Sequence, residues 1–240
     1  MRINKEHWIL NKPIAHRGLW GDGVPENSIT AYKRAAEKGY PIEIDLYLTK
    51  DGHLVSFHDD TLKRMTGEDG FIYDKTLSEL KTLDIGGGEK IPTFKEVKEI
   101  ALGKSPLLIE IKNQPYKNIV EKVVDALKDY KGEFAIQSFN PFYINKVKKL
   151  APNFIRGILG THDAYNEKFF TRLALKHLLF NFLIKPDFIS YNIKGMPIKE
   201  NKVKDKAVLC WTITNNTDEE KAYTFADNII YENFVPKKYQ

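Results

Sequence analysis

The chain has 240 residues, of which 42% are hydrophobic and 29% are charged, and its formal net charge is +5. This balance indicates a soluble globular protein with a hydrophobic core rather than a disordered chain. The 37 lysine and arginine residues are spread along the sequence instead of forming one basic block, so no nucleic-acid partner is expected. A single cysteine, Cys210, excludes an intrachain disulfide.

The first predicted element is a short strand at 13–18, PIAHRG, which ends in His16, Arg17 and a glycine. A glycine at that point would leave room for the close approach of a ligand. The residues before the strand contain no apolar run long enough for a secretory signal peptide. The expected location is therefore the cytoplasm.

Further along the chain, short apolar runs alternate with helical patterns, which is typical of βα units around a parallel sheet. Only TKDGH separates the runs at 41–48 and 54–59, and its Asp-Gly pair predicts a hairpin-like turn. Nine strand-like runs are present for the eight places of a (β/α)8 TIM barrel, so one of them lies outside the barrel. We predict a single TIM-barrel domain over residues 1–240 with an insertion at about 60–92. The later runs are 107–112, 134–139, 154–160, 187–192, 207–213 and 228–233.

The segment at 169–184, FFTRLALKHLLFNFLI, is rich in leucine and phenylalanine. It is shorter than the roughly 20 apolar residues of a membrane-spanning helix and contains basic residues. A helix packed on the protein core is favoured over a helix that contacts a membrane surface.

Five successive strand-like runs carry charged or polar residues where a buried strand should be apolar. Glu43 and Asp45 are two residues apart, so both side chains lie on one face of their strand. Any one such residue has an ordinary structural explanation, such as a surface histidine or a solvated strand face. Their recurrence at C-terminal strand ends, where barrel enzymes bind ligands, predicts a functional site. The residues are His16, Arg17, Glu43, Asp45, His58, Asp59, Glu110, Lys112, Gln137 and Ser138.

The carboxylates of this set indicate a metal site. Glu43, Asp45 and Glu110 offer oxygen ligands without a thiolate, which suits Mg²⁺, Ca²⁺ or Mn²⁺. Without a cation, three clustered carboxylates would raise one another's pKa.

The remaining polar residues indicate acid–base chemistry on an anion. His16 and His58 could accept and donate protons near neutral pH. Arg17 and Lys112 supply positive charge, and arginine can bind a phosphate through two hydrogen bonds. A metal, two proton-transfer groups and two cations together suit the cleavage of a phosphodiester.

The order of the motifs along the chain resembles that of the glycerophosphodiester phosphodiesterase family. The similarity is dense from about residue 13 to 112 and thinner beyond. The motifs are IAHRG, PENSITAYKRAAEKGYPIEIDLYLTKDGHLVSFHDDTLKRMTG, IPTFKEV, LLIEIK, the run ending in QSF, and CWTI.

The resemblance implies a TIM barrel that hydrolyses a small-molecule glycerophosphodiester to glycerol phosphate and an alcohol, with Mg²⁺ or Ca²⁺ bound. The family's site is carried over residue by residue. Glu26 and Gln137 are expected to support the site, Glu26 by holding Arg17 or an adjacent loop. The resemblance assigns catalysis to His16 and His58, metal binding to Glu43, Asp45 and Glu110, and phosphate or substrate binding to Arg17, Lys112 and Trp211.

Several alternatives stay open. His16 is assigned as the base and His58 as the acid, but the order could be reversed, and the nucleophile is either a metal-bound water or a hydroxyl of the substrate. The family's W-T-x-N stretch has Thr214 in place of asparagine, and Tyr231 and Glu232 replace a Thr-Asp pair. These changes leave the alcohol preference open. A lysophospholipase D activity and a barrel that only binds a phosphorylated ligand are the rival functions.

Overall fold

The structure is a computed structural model that describes residues 3–116, 118–162 and 169–237. It divides into two compact units. One comprises residues 15–134, and the other comprises residues 1–14 and 135–240 and is called the 135–240 unit below. The strands are β1 (Ile14–Ala15), β2 (Ile42–Leu48), β3 (Leu54–Ser56), β4 (Leu107–Ile111), β5 (Phe134–Ser138), β6 (Arg156–Gly160), β7 (Phe188–Asn192), β8 (Ala207–Ile213) and β9 (Asn228–Tyr231).

Helices separate most of these strands, and several begin at the cap residues that the sequence offers. Ser28 accepts a hydrogen bond from the Ala31 amide at the start of the second helix, and Pro141 occupies the first turn of the seventh. The helices are α1 (Trp8–Asn11), α2 (Ile29–Glu37), α3 (Lys63–Thr66), α4 (Leu77–Thr82), α5 (Phe94–Ala101), α6 (Ile119–Leu127), α7 (Pro141–Leu150), α8 (Phe169–His177), α9 (Asn181–Ile184), α10 (Glu200–Val203) and α11 (Asn216–Ala222).

In the 15–134 unit, β2 is the central strand. It pairs in parallel with β1 and with β4, where residues 42–46 lie opposite 107–111. The end of β2 pairs with β3 in antiparallel fashion, Leu46 opposite Ser56 and Leu48 opposite Leu54. The predicted hairpin is therefore confirmed, and β3 is the run that does not join the parallel strands.

The predicted insertion at 60–92 folds against this hairpin. It contains α3, a short 3₁₀ helix (Ile72–Asp74) and α4. Its apolar side chains share one small core with the hairpin, so the segment is a packed element. That core consists of Tyr47, Val55, Phe57, Leu62, Ile72, Leu80, Ile85 and Ile91.

In the 135–240 unit, β5 to β9 are parallel and pair in sequence order. Gly157 allows close packing here, because a Cβ atom at this position would lie 2.2 Å from the Phe188 ring. Asn228 fastens the start of the chain to β9, since its Nδ2 donates to the carbonyl oxygens of Ile9 (2.9 Å) and Lys12 (2.6 Å).

Residues 169–184 do not form one helix. The helix α8 ends at His177, Leu178 adopts a φ of 51°, and α9 follows. Leu178 and Ile184 are buried, whereas Phe182 is 77% exposed, so residues 178–184 pack only partly on the core. Among the described residues, no helix has the length and apolar character needed to cross a membrane.

Eight parallel strands that alternate with helices along the chain, with β3 added, form the predicted (β/α)8 barrel fold. The single-domain boundary, 1–240, stays a prediction.

Candidate active site

Three buried carboxylates lie together on β2 and β4. Glu43 and Asp45 alternate along β2 and point to one face. Asp45 is the register partner of Glu110 on β4, which brings the third carboxylate beside them. Each of the three offers an oxygen atom within 4.8 Å of the other two. The structure therefore brings together the three predicted metal ligands, two through their spacing on β2 and the third through the register of β4.

Two cations lie against this carboxylate cluster. Lys112 Nζ is 3.0 Å from Glu110 Oε1 and 3.3 Å from Asp45 Oδ1. Arg17 Nε is 3.6 Å from Asp45 Oδ2, and the Arg17 amide donates to Glu43 Oε2 at 3.1 Å. Both predicted phosphate-binding residues thus adjoin the predicted metal ligands.

Burial and the neighbouring charges shift the pKa values of the three carboxylates in different directions. Burial, followed by the negative charges of Asp45 and Glu110, raises the pKa of Glu43 well above its usual value. Burial also raises the pKa of Glu110. For Asp45 burial acts in the same direction, but Lys112, His58 and Arg17 outweigh it and hold the pKa below its usual value. Three carboxyl groups thus face the two cations Lys112 and Arg17.

His16 and Arg17 directly follow the C-terminal end of β1, as predicted. The Trp20 indole donates to the His16 carbonyl at 3.0 Å, and Arg17 takes a φ of 57°. The next residue, Gly18, has a φ of 85°, and a Cβ there would lie 2.8 Å from the Ala31 carbonyl carbon. Close packing on α2 therefore requires this glycine, and the close approach of a ligand stays a prediction.

The hairpin of β2 and β3 places His58 beside the strand that carries Glu43 and Asp45. The Phe57 amide donates to the Asp45 carbonyl at 3.1 Å, which fixes the chain just before His58 beside β2. His58 Nδ1 lies 2.7 Å from Asp59 Oδ1, and the imidazole is one-third exposed. One ring nitrogen is thus held while the side chain keeps access to solvent.

Glu26 supports Arg17 through a direct contact. Its Oε1 accepts a hydrogen bond of 2.8 Å from Arg17 Nη1, and its carboxylate is largely buried. Of the two predicted partners of Glu26, Arg17 and an adjacent loop, the structure shows a direct contact with Arg17.

Asn27 is a site residue that the sequence reasoning missed. Its Nδ2 donates to Asp45 Oδ2 at 3.0 Å, while its Oδ1 accepts from the Tyr32 hydroxyl (2.7 Å). Ser56 Oγ donates to the same Oδ1 at 3.2 Å. The available signal was the position of Asn27 beside Glu26 in PENS.

Gln137 and Trp211 belong to the 135–240 unit, on β5 and β8. Gln137 is buried, and its Oε1 has no hydrogen-bond partner among the described residues. The Trp211 ring stacks edge-on with Phe139 at 5.8 Å. Asn215, next to the changed W-T-x-N stretch, caps α11 by accepting from the Asp218 amide at 2.9 Å. The substrate roles of Gln137 and Trp211 stay predictions.

The donor set fits a hard divalent cation. All three candidate ligands are carboxylates, and two of them have pKa values raised by burial and mutual charge. A cation would offset both effects, and Mg²⁺ and Ca²⁺ prefer oxygen ligands. The buried carboxylates are therefore a candidate metal centre.

Comparison with known proteins relates the chain to phosphodiesterases. Residues 16–231 match the model of the "Glycerophosphoryl diester phosphodiesterase family". The chain belongs to this family. It is a phosphoric diester hydrolase by that membership. The match runs from His16 to Tyr231 and therefore includes residues of both structural units.

Three relatives show how far the likeness extends. A glycerophosphodiester phosphodiesterase of Caldanaerobacter subterraneus subsp. tengcongensis is 40% identical over 224 residues, 87% of this chain and 88% of the relative. A phosphodiesterase of Oleispira antarctica, solved with the product sn-glycerol-3-phosphate, is 28% identical with a TM-score of 0.76 over 95% of both chains. A human lysophospholipase D is 34% identical over 143 residues, 54% of this chain and 45% of that relative.

Proposed function

We propose that the chain hydrolyses glycerophosphodiesters to glycerol phosphate and an alcohol, with a divalent cation held by Glu43, Asp45 and Glu110. The buried carboxylate cluster beside Arg17 and Lys112 carries this proposal, because a site for metal and phosphate needs both charges close together. Membership of the family supports the same substrate class. When bound, the cation would neutralise negative charge on the phosphoryl oxygens.

The chain's own residues divide the remaining tasks. Arg17 and Lys112 would stabilise the additional negative charge of the transition state. His16 would accept a proton from the nucleophile, and His58 would donate one to the departing alcohol oxygen. The nucleophile is a water or the neighbouring hydroxyl of the substrate glycerol. We assign His58 as the acid because its contact with Asp59 through Nδ1 orients the imidazole and leaves Nε2 for the leaving oxygen.

The test is the release of glycerol 3-phosphate from glycerophosphocholine and glycerophosphoethanolamine. Purified protein would be assayed with Mg²⁺, Ca²⁺ or Mn²⁺ and with EDTA, beside the Glu43→Ala variant. We expect release that depends on metal and is lost in the variant. Unchanged release in EDTA would contradict the proposal, and no release from folded protein with any metal would favour a barrel that only binds its ligand.

A second candidate is hydrolysis of lysophospholipids. Two observations favour it, the partial likeness to a human lysophospholipase D and the exposed apolar side chains Leu179 and Phe182. Turnover of lysophosphatidylcholine above that of glycerophosphocholine, lowered by Phe182→Ser, would support this candidate. Equal turnover by Phe182→Ser and the unchanged protein would contradict a role for this surface.

A further inference from the structure

Arg64 is a half-exposed residue of α3, inside the insertion at 60–92, and it is linked to two sides of the proposed active site. Its Nε lies 2.5 Å from Asp59 Oδ2 and its Nη2 lies 3.1 Å from Asp59 Oδ1. These two parallel contacts use the planar fork of the guanidinium, which fixes the orientation of a carboxylate.

Asp59 links Arg64 to His58, because it contacts both side chains. Its Oδ1 is 2.7 Å from His58 Nδ1, while both of its oxygens accept from Arg64. The imidazole therefore has a partner on one nitrogen, and that partner is itself held by a second residue. A histidine fixed through Nδ1 carries its other nitrogen, Nε2, in a defined direction.

The same guanidinium also reaches the phosphate-binding side of the site. Arg64 Nη2 donates to Glu26 Oε1 at 2.6 Å, and this oxygen also accepts from Arg17 Nη1 at 2.8 Å. Arg64 is thus joined to His58 through Asp59 and to Arg17 through Glu26. The charges alternate in sign along this connection, so each member stabilises its neighbours.

The backbone that carries Arg64 is fixed by the insertion. Leu62, two residues earlier, is fully buried in the small core of the insertion and the hairpin, and its amide donates to the Gly70 carbonyl at 3.0 Å. The helix α3 then ends at Gly67, which has a φ of 77°. A long side chain on an anchored backbone can hold Asp59 and Glu26 at the same time.

We propose that Arg64 is a positioning residue that holds His58 in the geometry needed to protonate the leaving alcohol. This inference rests on the proposed function. As the oxygen of the nucleophile bonds to phosphorus, the bond between phosphorus and the leaving oxygen breaks, and the proton on His58 Nε2 passes to the leaving oxygen. The imidazole becomes neutral and keeps the proton on Nδ1, which donates a hydrogen bond to Asp59. Without Arg64, Asp59 can rotate away and the proton donor loses its direction.

The experiment compares two leaving groups. Glycerophosphocholine releases an alkoxide that needs a proton, whereas a glycerol 4-nitrophenyl phosphate diester releases a stable anion that does not. We expect Arg64→Ala to lower kcat for the first substrate roughly tenfold or more. The kcat for the second should change by less than about twofold, because Glu26 keeps its own hydrogen bond with Arg17. Lys63→Ala is the matched control, because Lys63 precedes Arg64 on α3 and its exposed side chain forms an ion pair with the exposed Asp69.

Two further variants keep the test decisive. Asp59→Asn should show the same selective loss, and the Arg64→Ala/Asp59→Asn double variant should lose little more than either single variant, since both changes break one connection. Equal losses on both substrates, or no loss on either, would overturn the role of Arg64. His58→Ala is the reference. If it lacked the selective loss, the assignment of His58 in the proposed function would be wrong, and the role of Arg64 would fall with it.

Discussion

Both units of the chain are built on parallel strands, but the strands of the two units bury different kinds of polar side chain. In the 15–134 unit, β2 and β4 bury three carboxylates, while the strands β5 to β9 of the 135–240 unit contain no aspartate or glutamate. The buried polar groups on those later strands are uncharged apart from Arg156. Burying a carboxylate is costly unless a cation compensates it. We therefore expect substitutions in the carboxylate cluster of the 15–134 unit to change turnover more than substitutions in the 135–240 unit.

The largest expected effect comes from the carboxylate cluster. Glu43→Gln removes one proposed ligand and should lower turnover about a hundredfold or more. The same change should raise the melting temperature of metal-free protein, because it removes a buried charge that Asp45 and Glu110 disfavour. Turnover and thermal unfolding with and without metal would check both signs. A metal-free variant less stable than the unchanged protein would contradict this electrostatic account.

The two histidines should come next. His16→Ala and His58→Ala should each lower kcat roughly a hundredfold, because each removes one proton-transfer step. Since one imidazole must be neutral and the other protonated, the rate of the unchanged protein should follow a bell-shaped pH profile, and each variant should lose one limb. Steady-state kinetics across pH would measure this, with metal binding as the control for an intact site. A variant that kept full turnover would remove its histidine from the mechanism.

A smaller effect is expected at Asn27. Asn27→Ala removes the hydrogen bond to Asp45 and leaves the buried hydroxyl of Tyr32 with one partner fewer. We expect a loss of about 1–3 kcal/mol in the free energy of unfolding and a weaker affinity for metal. Denaturant unfolding and metal titration would measure the two effects. Ser28→Ala, which removes the neighbouring helix cap, should destabilise the protein and leave its metal affinity unchanged.

The smallest effect on chemistry is expected in the 135–240 unit. Trp211→Ala should raise KM and shift the preference between choline and ethanolamine diesters, while kcat changes by less than about tenfold. Competition between the two diesters would measure the preference. A fall in kcat as large as that of His58→Ala would contradict the expected difference between substitutions in the two units.

The sequence predicted those parts of the site that depend on short-range spacing. Glu43 and Asp45 lie on one face because strand side chains alternate, and the Asp-Gly turn predicted the hairpin that leads to His58. The contact of Asn27 with Asp45 and those of Arg64 with Asp59 and Glu26 were not predicted. They depend on how loop and insertion backbones fold onto the strands, and no periodic pattern encodes that. The packing of Gly18 on Ala31 was not predicted either, because the two residues are thirteen positions apart in the sequence.

The most direct test of the central claim is to strip the protein of metal and restore it stepwise. Mg²⁺, Ca²⁺ and Mn²⁺ would each be titrated by calorimetry, and hydrolysis of glycerophosphocholine would be measured on the same samples. We expect one binding site, no activity before metal is added, and activity that rises with occupancy of that site. Both signals should be absent in Glu43→Gln. Full activity of the metal-free protein would contradict it.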